Sequence, residues 1–214
     1  MIYRRQFRSI LKNECVETFE NALDQCKEIY TRHAKESGIN FLRIYRYESN
    51  VFIYAESLNS LPAFDWPEQM SEYFENWPTD IGLKHTKTML DIFHDADPRL
   101  TEGWLSREKP FTSVGSLIFL KPEMYSSYIF YHFQLQEEGL RKFNKSFVIG
   151  SEGVCLFAYH EEPAVVDPLY PPGILSTNNS PLNWEDLMDE HFQRWPESPT
   201  ERTAWRKMKL IMSL

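Results

Sequence analysis

The segment Trp66-Pro-Glu-Gln-Met-Ser-Glu-Tyr-Phe-Glu-Asn-Trp-Pro78 returns as Trp184-Glu-Asp-Leu-Met-Asp-Glu-His-Phe-Gln-Arg-Trp-Pro196 at a constant offset of 118 (184 − 66). Both tryptophans, Met70/Met188, Glu72/Glu190, Phe74/Phe192 and Pro78/Pro196 coincide, where chance gives roughly one match in thirteen positions. A chain that writes one segment twice at this distance folds as two similar units. The period is far longer than a solenoid repeat.

Other segments align at other offsets. Leu11-Lys12-Asn13-Glu14 answers Leu120-Lys121-Pro122-Glu123 at 109 (121 − 12), and Val51 to Ala55 (VFIYA) answers Val154 to Ala158 (VCLFA) at 103 (154 − 51). On this alignment the second copy loses six residues (109 − 103) around its first helix and gains fifteen (118 − 103) across Pro163 to Asn183. That stretch has five prolines and the run Ser176-Thr-Asn-Asn-Ser180, so it reads as an irregular loop and a candidate lid.

Each copy repeats the same order of periodicities. Short apolar strands at Phe7–Leu11 and Leu117–Leu120 run through a turn into a helix. In the first of these helices Val16, Phe19, Leu23, Cys26, Tyr30 and His33 share one face, and Gly38 stops it. A hairpin follows, at Phe41–Tyr47 and Val51–Glu56 in copy one and Ser146–Ile149 and Val154–Tyr159 in copy two. Then come the Trp-to-Trp helix, ended by Pro78 or Pro196, and a last strand near Thr88–Phe93 or Lys207–Met212.

The expected fold is therefore α+β, two tandem ferredoxin-like βαββαβ units. A four-stranded sheet with helices on one face leaves an apolar face to cover, so the two antiparallel sheets are expected back to back as a pseudo-dimeric α/β barrel. Residues 1–95 form the first repeat, 96–112 with Pro98, Gly103 and Pro110 the connector, and 113–214 the second repeat. The arrangement predicts a monomer that imitates a homodimer.

The two copies differ where chemistry is concerned. At offset 109, Phe19 becomes Tyr128 and Leu23 becomes His132, so the sheet-facing stripe of one helix carries a phenol and an imidazole one turn apart. A buried histidine is either tied to a carbonyl in a core or held for acid–base work, for which its ordinary pKa of about 6.5 suits it. Copy one, with Phe19 and Leu23, reads as chemically silent. His191 replaces Tyr73 beside the Trp helix and is a further candidate for the same cleft.

Composition removes other classes. Lys plus Arg is 23 against Asp plus Glu 31, a net charge of −8, so nucleic acid and anionic membrane are not expected partners. Arg4, Arg5 and Arg8 break the start, there is no 18-residue apolar run, and Cys15, Cys26 and Cys155 are unrelated in spacing. A soluble cytoplasmic protein with reduced thiols is expected. No His-Glu-x-x-His, paired CxxC, glycine-rich phosphate loop or Gly-x-Ser-x-Gly is present, so no metal or cofactor is expected. His94-Asp95-Ala96-Asp97 reads as a solvated turn.

The run Lys121-Pro-Glu-Met-Tyr-Ser-Ser-Tyr-Ile-Phe-Tyr-His132 resembles the start of L-rhamnose mutarotases, in which a strand enters an Asn-Pro-Asp turn and a helix bearing Tyr-x-x-x-His. Phe192-Gln-Arg-Trp195 is similar to the Gln-Arg-Trp of that family's second helix. The likeness spans most of 113–214 and, more weakly, 5–95. It implies cofactor-free interconversion of the anomers of a small sugar, such as a deoxy sugar. On it His132 and Tyr128 would be catalytic, while Trp195, His191 and Phe192 would contact substrate. Non-catalytic carbohydrate binding, or another chemistry such as a monooxygenase on the same barrel, stays open beside it.

Overall fold

The computed structural model describes residues 1–58, 60–79, 82–101, 104, 107, 109–139, 144–166 and 173–214. Gly103 of the expected connector and Pro168, Pro171 and Pro172 of the expected loop lie outside these residues. In chain order the elements are β1 (Tyr3–Ile10), α1 (Phe19–Glu36), β2 (Ile39–Tyr47), β3 (Asn50–Ser57), β4 (Trp77–Thr79), β5 (Gly82–Lys84), β6 (Lys87–Thr88) and β7 (Leu90–His94). They continue with β8 (Thr112–Phe119), α2 (Tyr125–Glu138), β9 (Val148–Glu152), β10 (Cys155–Glu162), α3 (Trp184–His191), β11 (Arg206–Lys207) and β12 (Lys209–Ser213).

The architecture is α+β with antiparallel sheets. One sheet has the order β12-β2-β3-β1-β6 and the other β7-β9-β10-β8-β11, which is the same order copy for copy. In each, a short last strand lies beside the first, as a βαββαβ unit requires. The last strands do not, however, close only their own sheets. After two residues β6 gives way to β7, which pairs with β9, and β11 gives way to β12, which pairs with β2. Unit 1 is accordingly residues 1–89 with 208–214, and unit 2 is residues 90–207. An isolated βαββαβ sheet leaves its second strand as an open edge with unpaired N–H and C=O groups, and the exchanged strands satisfy that edge in both units.

Both exchanged strands carry a bulge at the same place, between Asp91 and Phe93 and between Leu210 and Met212. A bulge re-aims the next side chain. Met212 is buried in the core of unit 1, and Phe93 in that of unit 2.

The register of the central strands corrects the alignment of the hairpins. Tyr54 lies opposite Gln6 and Tyr159 opposite Gly115, so β3 and β10 correspond at an offset of 105 (159 − 54) rather than 103. The repeated motif is Phe52-Ile-Tyr54-Ala-Glu56 against Phe157-Ala-Tyr159-His-Glu161. In both, the buried tyrosine donates to the buried glutamate two residues on, at 2.7 and 2.6 Å. A slip of two keeps every side chain on its face, so strand periodicity alone does not detect it. The second copy is thus four residues shorter here (109 − 105) and thirteen longer before α3 (118 − 105).

In α1 the buried stripe is Phe19, Leu23, Tyr30 and Ala34, with His33 exposed, and Gly38 follows at φ +78°, a left-handed stop. The Trp-to-Trp helix is not realised in copy one. Behind Pro67, at φ −57° and ψ +151°, Glu68–Tyr73 forms only a 3-10 segment. In copy two α3 ends at His191, not at Pro196, because Phe192 turns extended and bridges to Leu120; Phe74 does the same with Leu11. No helix among the described residues is long and apolar enough to cross a membrane.

Candidate functional site

A cavity of about 330 Å³ lies wholly within unit 2. Helix α2 supplies Tyr128, His132 and Leu135, the β9 side supplies Phe147 and Ile149, and β7 supplies Phe93. Trp184 and Met188 of α3, then Phe192 and Trp205, complete the apolar wall. Exposed Glu185 and Arg202 stand at its rim with Asp189 and Thr203. The volume is at the lower end of the roughly 300–1,000 Å³ of small-molecule sites, and an apolar wall with few polar groups is the usual composition of one.

The helical spacing stacks the two candidate catalytic side chains on each other. The Tyr128 and His132 rings lie 4.0 Å apart, centre to centre, and both residues are buried. Phe93 meets the imidazole edge-on at 5.6 Å and Trp184 at 5.0 Å, an orientation aromatic quadrupoles favour. His132 Nδ1 lies 2.9 Å from the Tyr128 carbonyl oxygen. A carbonyl accepts only, so Nδ1 carries the proton and Nε2 the lone pair. Nε2 has no protein partner among the described residues, and the ring lines the cavity.

Burial lowers the His132 pKa to about 4, against the opposing pull of the Tyr128 carbonyl and with a smaller lowering from nearby His191. At neutral pH the ring is an uncharged hydrogen-bond acceptor. Burial also raises the Tyr128 pKa, which keeps the phenol protonated as a donor. Asp189 is held low by the hydrogen bond from Arg194 in the first place, a bidentate pair at 2.6 and 2.7 Å, and it also accepts from the Thr203 N–H at 2.7 Å. These bonds fasten the segment leading to Trp205 against α3.

Of the expected contact residues, Phe192 lines the cavity and the other two do not. Trp195 donates its Nε1–H to the Ala204 carbonyl at 2.8 Å and meets Phe119 at 6.1 Å. Phe119 faces away from its neighbours Ile118 and Leu120, which lie in the helix-covered core. The chain turns extended at Phe192, and Trp195 packs half-buried at the margin of the unit 2 core without lining the cavity. His191 is buried with both ring nitrogens engaged, Nδ1 with the Leu187 carbonyl at 2.8 Å and Nε2 with Ser127 Oγ at 2.9 Å. It offers the cavity no free nitrogen.

Trp184 and Trp205 take the place expected of Trp195. Trp205 stands where copy one has Thr86 (205 − 86 = 119, the offset of the last strands), so the comparison that found His132 also marks it. Phe93 had no such signal, since it belongs by sequence to copy one. In unit 1 the equivalent space is filled: Trp66 stacks on Phe74 at 4.3 Å, and Phe19 meets Trp66 at 5.7 Å and Phe74 at 5.3 Å. Among the described residues there is no cluster of three or more His, Cys, Asp or Glu able to hold a metal.

No protein-family model matches this chain, and no curated protein does. A solved structure named "Putative monooxygenase", from Fusobacterium nucleatum subsp. nucleatum ATCC 25586, is similar over 99% of this chain and 93% of its own, at 9% identity and a TM-score of 0.40.

Proposed function

We propose that unit 2 binds a small ring-shaped ligand with a C–H-rich surface and performs acid–base chemistry on its hydroxyl group, anomer interconversion of a deoxy sugar being the specific case. One observation carries this reading: a neutral imidazole, its Nδ1–H fixed by a carbonyl and its Nε2 unpartnered among the described residues, lines an aromatic-walled cavity. The rings of Trp184 and Trp205 suit a C–H face, and Glu185, Arg202 and Thr203 at the rim suit peripheral hydroxyls. Opening a pyranose moves the anomeric hydroxyl proton to Nε2 and then to the ring oxygen as the carbon–oxygen bond breaks. Tyr128 donates a hydrogen bond to whichever oxygen carries charge, and closure on the other face reverses both transfers.

A second reading, binding without turnover, is favoured by the low pKa of His132, because a base of pKa about 4 is weak at neutrality. Magnetisation-transfer NMR on a panel of deoxy aldoses separates the two. The catalytic reading expects faster anomer exchange with the protein and none of that acceleration with His132→Ala. Ligand-induced thermal stabilisation without exchange supports binding alone, and neither effect would overturn both readings.

A further inference from the structure

We propose that Glu138, outside the cavity, is a positioning residue that clamps the segment following Gly173 and thereby holds Trp184 against His132. Resting on the ligand-site reading above, this adds that ligand affinity is set by a carboxylate that never touches the ligand.

The buried Glu138 carboxylate collects five donors. Its Oε1 accepts from Thr177 Oγ1 at 2.7 Å, the Asn179 N–H at 2.8 Å and Gln134 Nε2 at 3.2 Å. Its Oε2 accepts from the Ser180 N–H at 2.9 Å and Ser180 Oγ at 2.6 Å. Burial works against the ionised form, but the donations from Ser180, Asn179 and Thr177 outweigh it and hold the carboxyl at about 2. A carboxylate at the C-terminal end of a helix is unfavourably placed against the helix dipole, so it persists there through these partners.

Neighbouring contacts seat the same segment. The Leu175 N–H donates to the Glu137 carbonyl at 3.0 Å and the Ile174 N–H to Glu137 Oε2 at 3.1 Å. A Cβ on Gly173 would fall 1.8 Å from the Glu137 carbonyl oxygen, so only glycine permits this approach. Residues 174–180 of the stretch that the sequence marks as a candidate lid are therefore fastened at the end of α2. Four residues after Ser180 comes Trp184, whose ring meets His132 at 5.0 Å.

Copy one supplies the control. At offset 109 (138 − 109 = 29) the equivalent of Glu138 is Ile29, 43% exposed, and copy one lacks the thirteen-residue insertion. The acid and the segment it holds occur together or not at all.

The test compares wild type with Glu138→Gln, which keeps the shape, and Glu138→Ile, which reproduces copy one. Hydrogen exchange of residues 174–187 and the His132 ring-proton NMR shift are read with no ligand, and binding of 2-naphthol is read separately. Faster exchange confined to that segment, a moved His132 resonance and about tenfold weaker naphthol binding are expected. A merely structural role in α2 would instead speed exchange within residues 125–138, which the proposal leaves protected. Unchanged exchange and an unchanged resonance in a folded Glu138→Ile protein would overturn the proposal. Where that variant does not fold, Thr177→Val with Ser180→Ala removes two donors, and the same outcomes decide. A moved resonance in a protein whose wild type binds no naphthol keeps the clamp and removes the ligand class.

Discussion

Deleting residues 208–214 is expected to destabilise the amino-terminal unit and leave the carboxy-terminal one folded. β12 is the outer strand of the first sheet, Met212 is 3% exposed in that unit's core, and Leu214 exchanges backbone hydrogen bonds with Leu42 at 3.0 and 3.3 Å. Removing a buried methionine side chain alone costs about 2–5 kcal/mol, and each lost hydrogen bond adds about 0.5–1.5 kcal/mol. Against the roughly 5–15 kcal/mol that a domain holds, this is a large fraction. Hydrogen exchange should rise in β2 and β3 while β8, β10 and α2 stay protected. Met212→Ala is the milder form of the test. Loss of protection in β8 and β10 instead would mean that the last strand completes its own copy.

Acid should weaken unit 2 through His132, and His132→Leu, the residue of copy one, should remove that weakening. The folded pKa is about 4 and the ordinary value about 6.5, so the unfolded chain takes up the proton first. The corresponding stability is fully present above about pH 6.5, falls as the pH drops toward 4 and is gone below it. The displacement amounts to roughly 3 kcal/mol. Replacing the ring strands no backbone group, because the Tyr128 carbonyl lies in the interior of α2. Urea titrations of both proteins from pH 8 to 4 measure the difference. Parallel pH profiles in the two proteins would contradict a buried neutral histidine.

What the sequence makes legible here is what is either local or repeated. The stripe Phe19, Leu23, Tyr30 is a helical period, and the positive φ of Gly38 is a property of that residue. Tyr128 and His132 emerge because copy one holds Phe19 and Leu23 at the same positions. Phe192 follows from the same repeat. The exchange of last strands is invisible, since the partner of an edge strand is chosen by geometry that no local pattern encodes. Trp195 lies off the cavity for a related reason: the chain leaves its helix at Phe192, four residues before the proline that reads as the stop. His191 does not line the cavity, and its ring nitrogens are spent on Leu187 and Ser127. The Glu138 clamp needed the loop in three dimensions, because its donors come from an insertion with no counterpart to compare.

The central claim is that His132 presents an unprotonated Nε2 to an open cavity, and long-range ¹H–¹⁵N correlation NMR of the imidazole tests it most directly. The expected spectrum shows the neutral Nδ1–H tautomer at pH 7, titration near 4, and an Nε2 resonance that moves when a deoxy aldose or 2-naphthol is added. An Nε2–H tautomer, or titration near the ordinary 6.5, would contradict it.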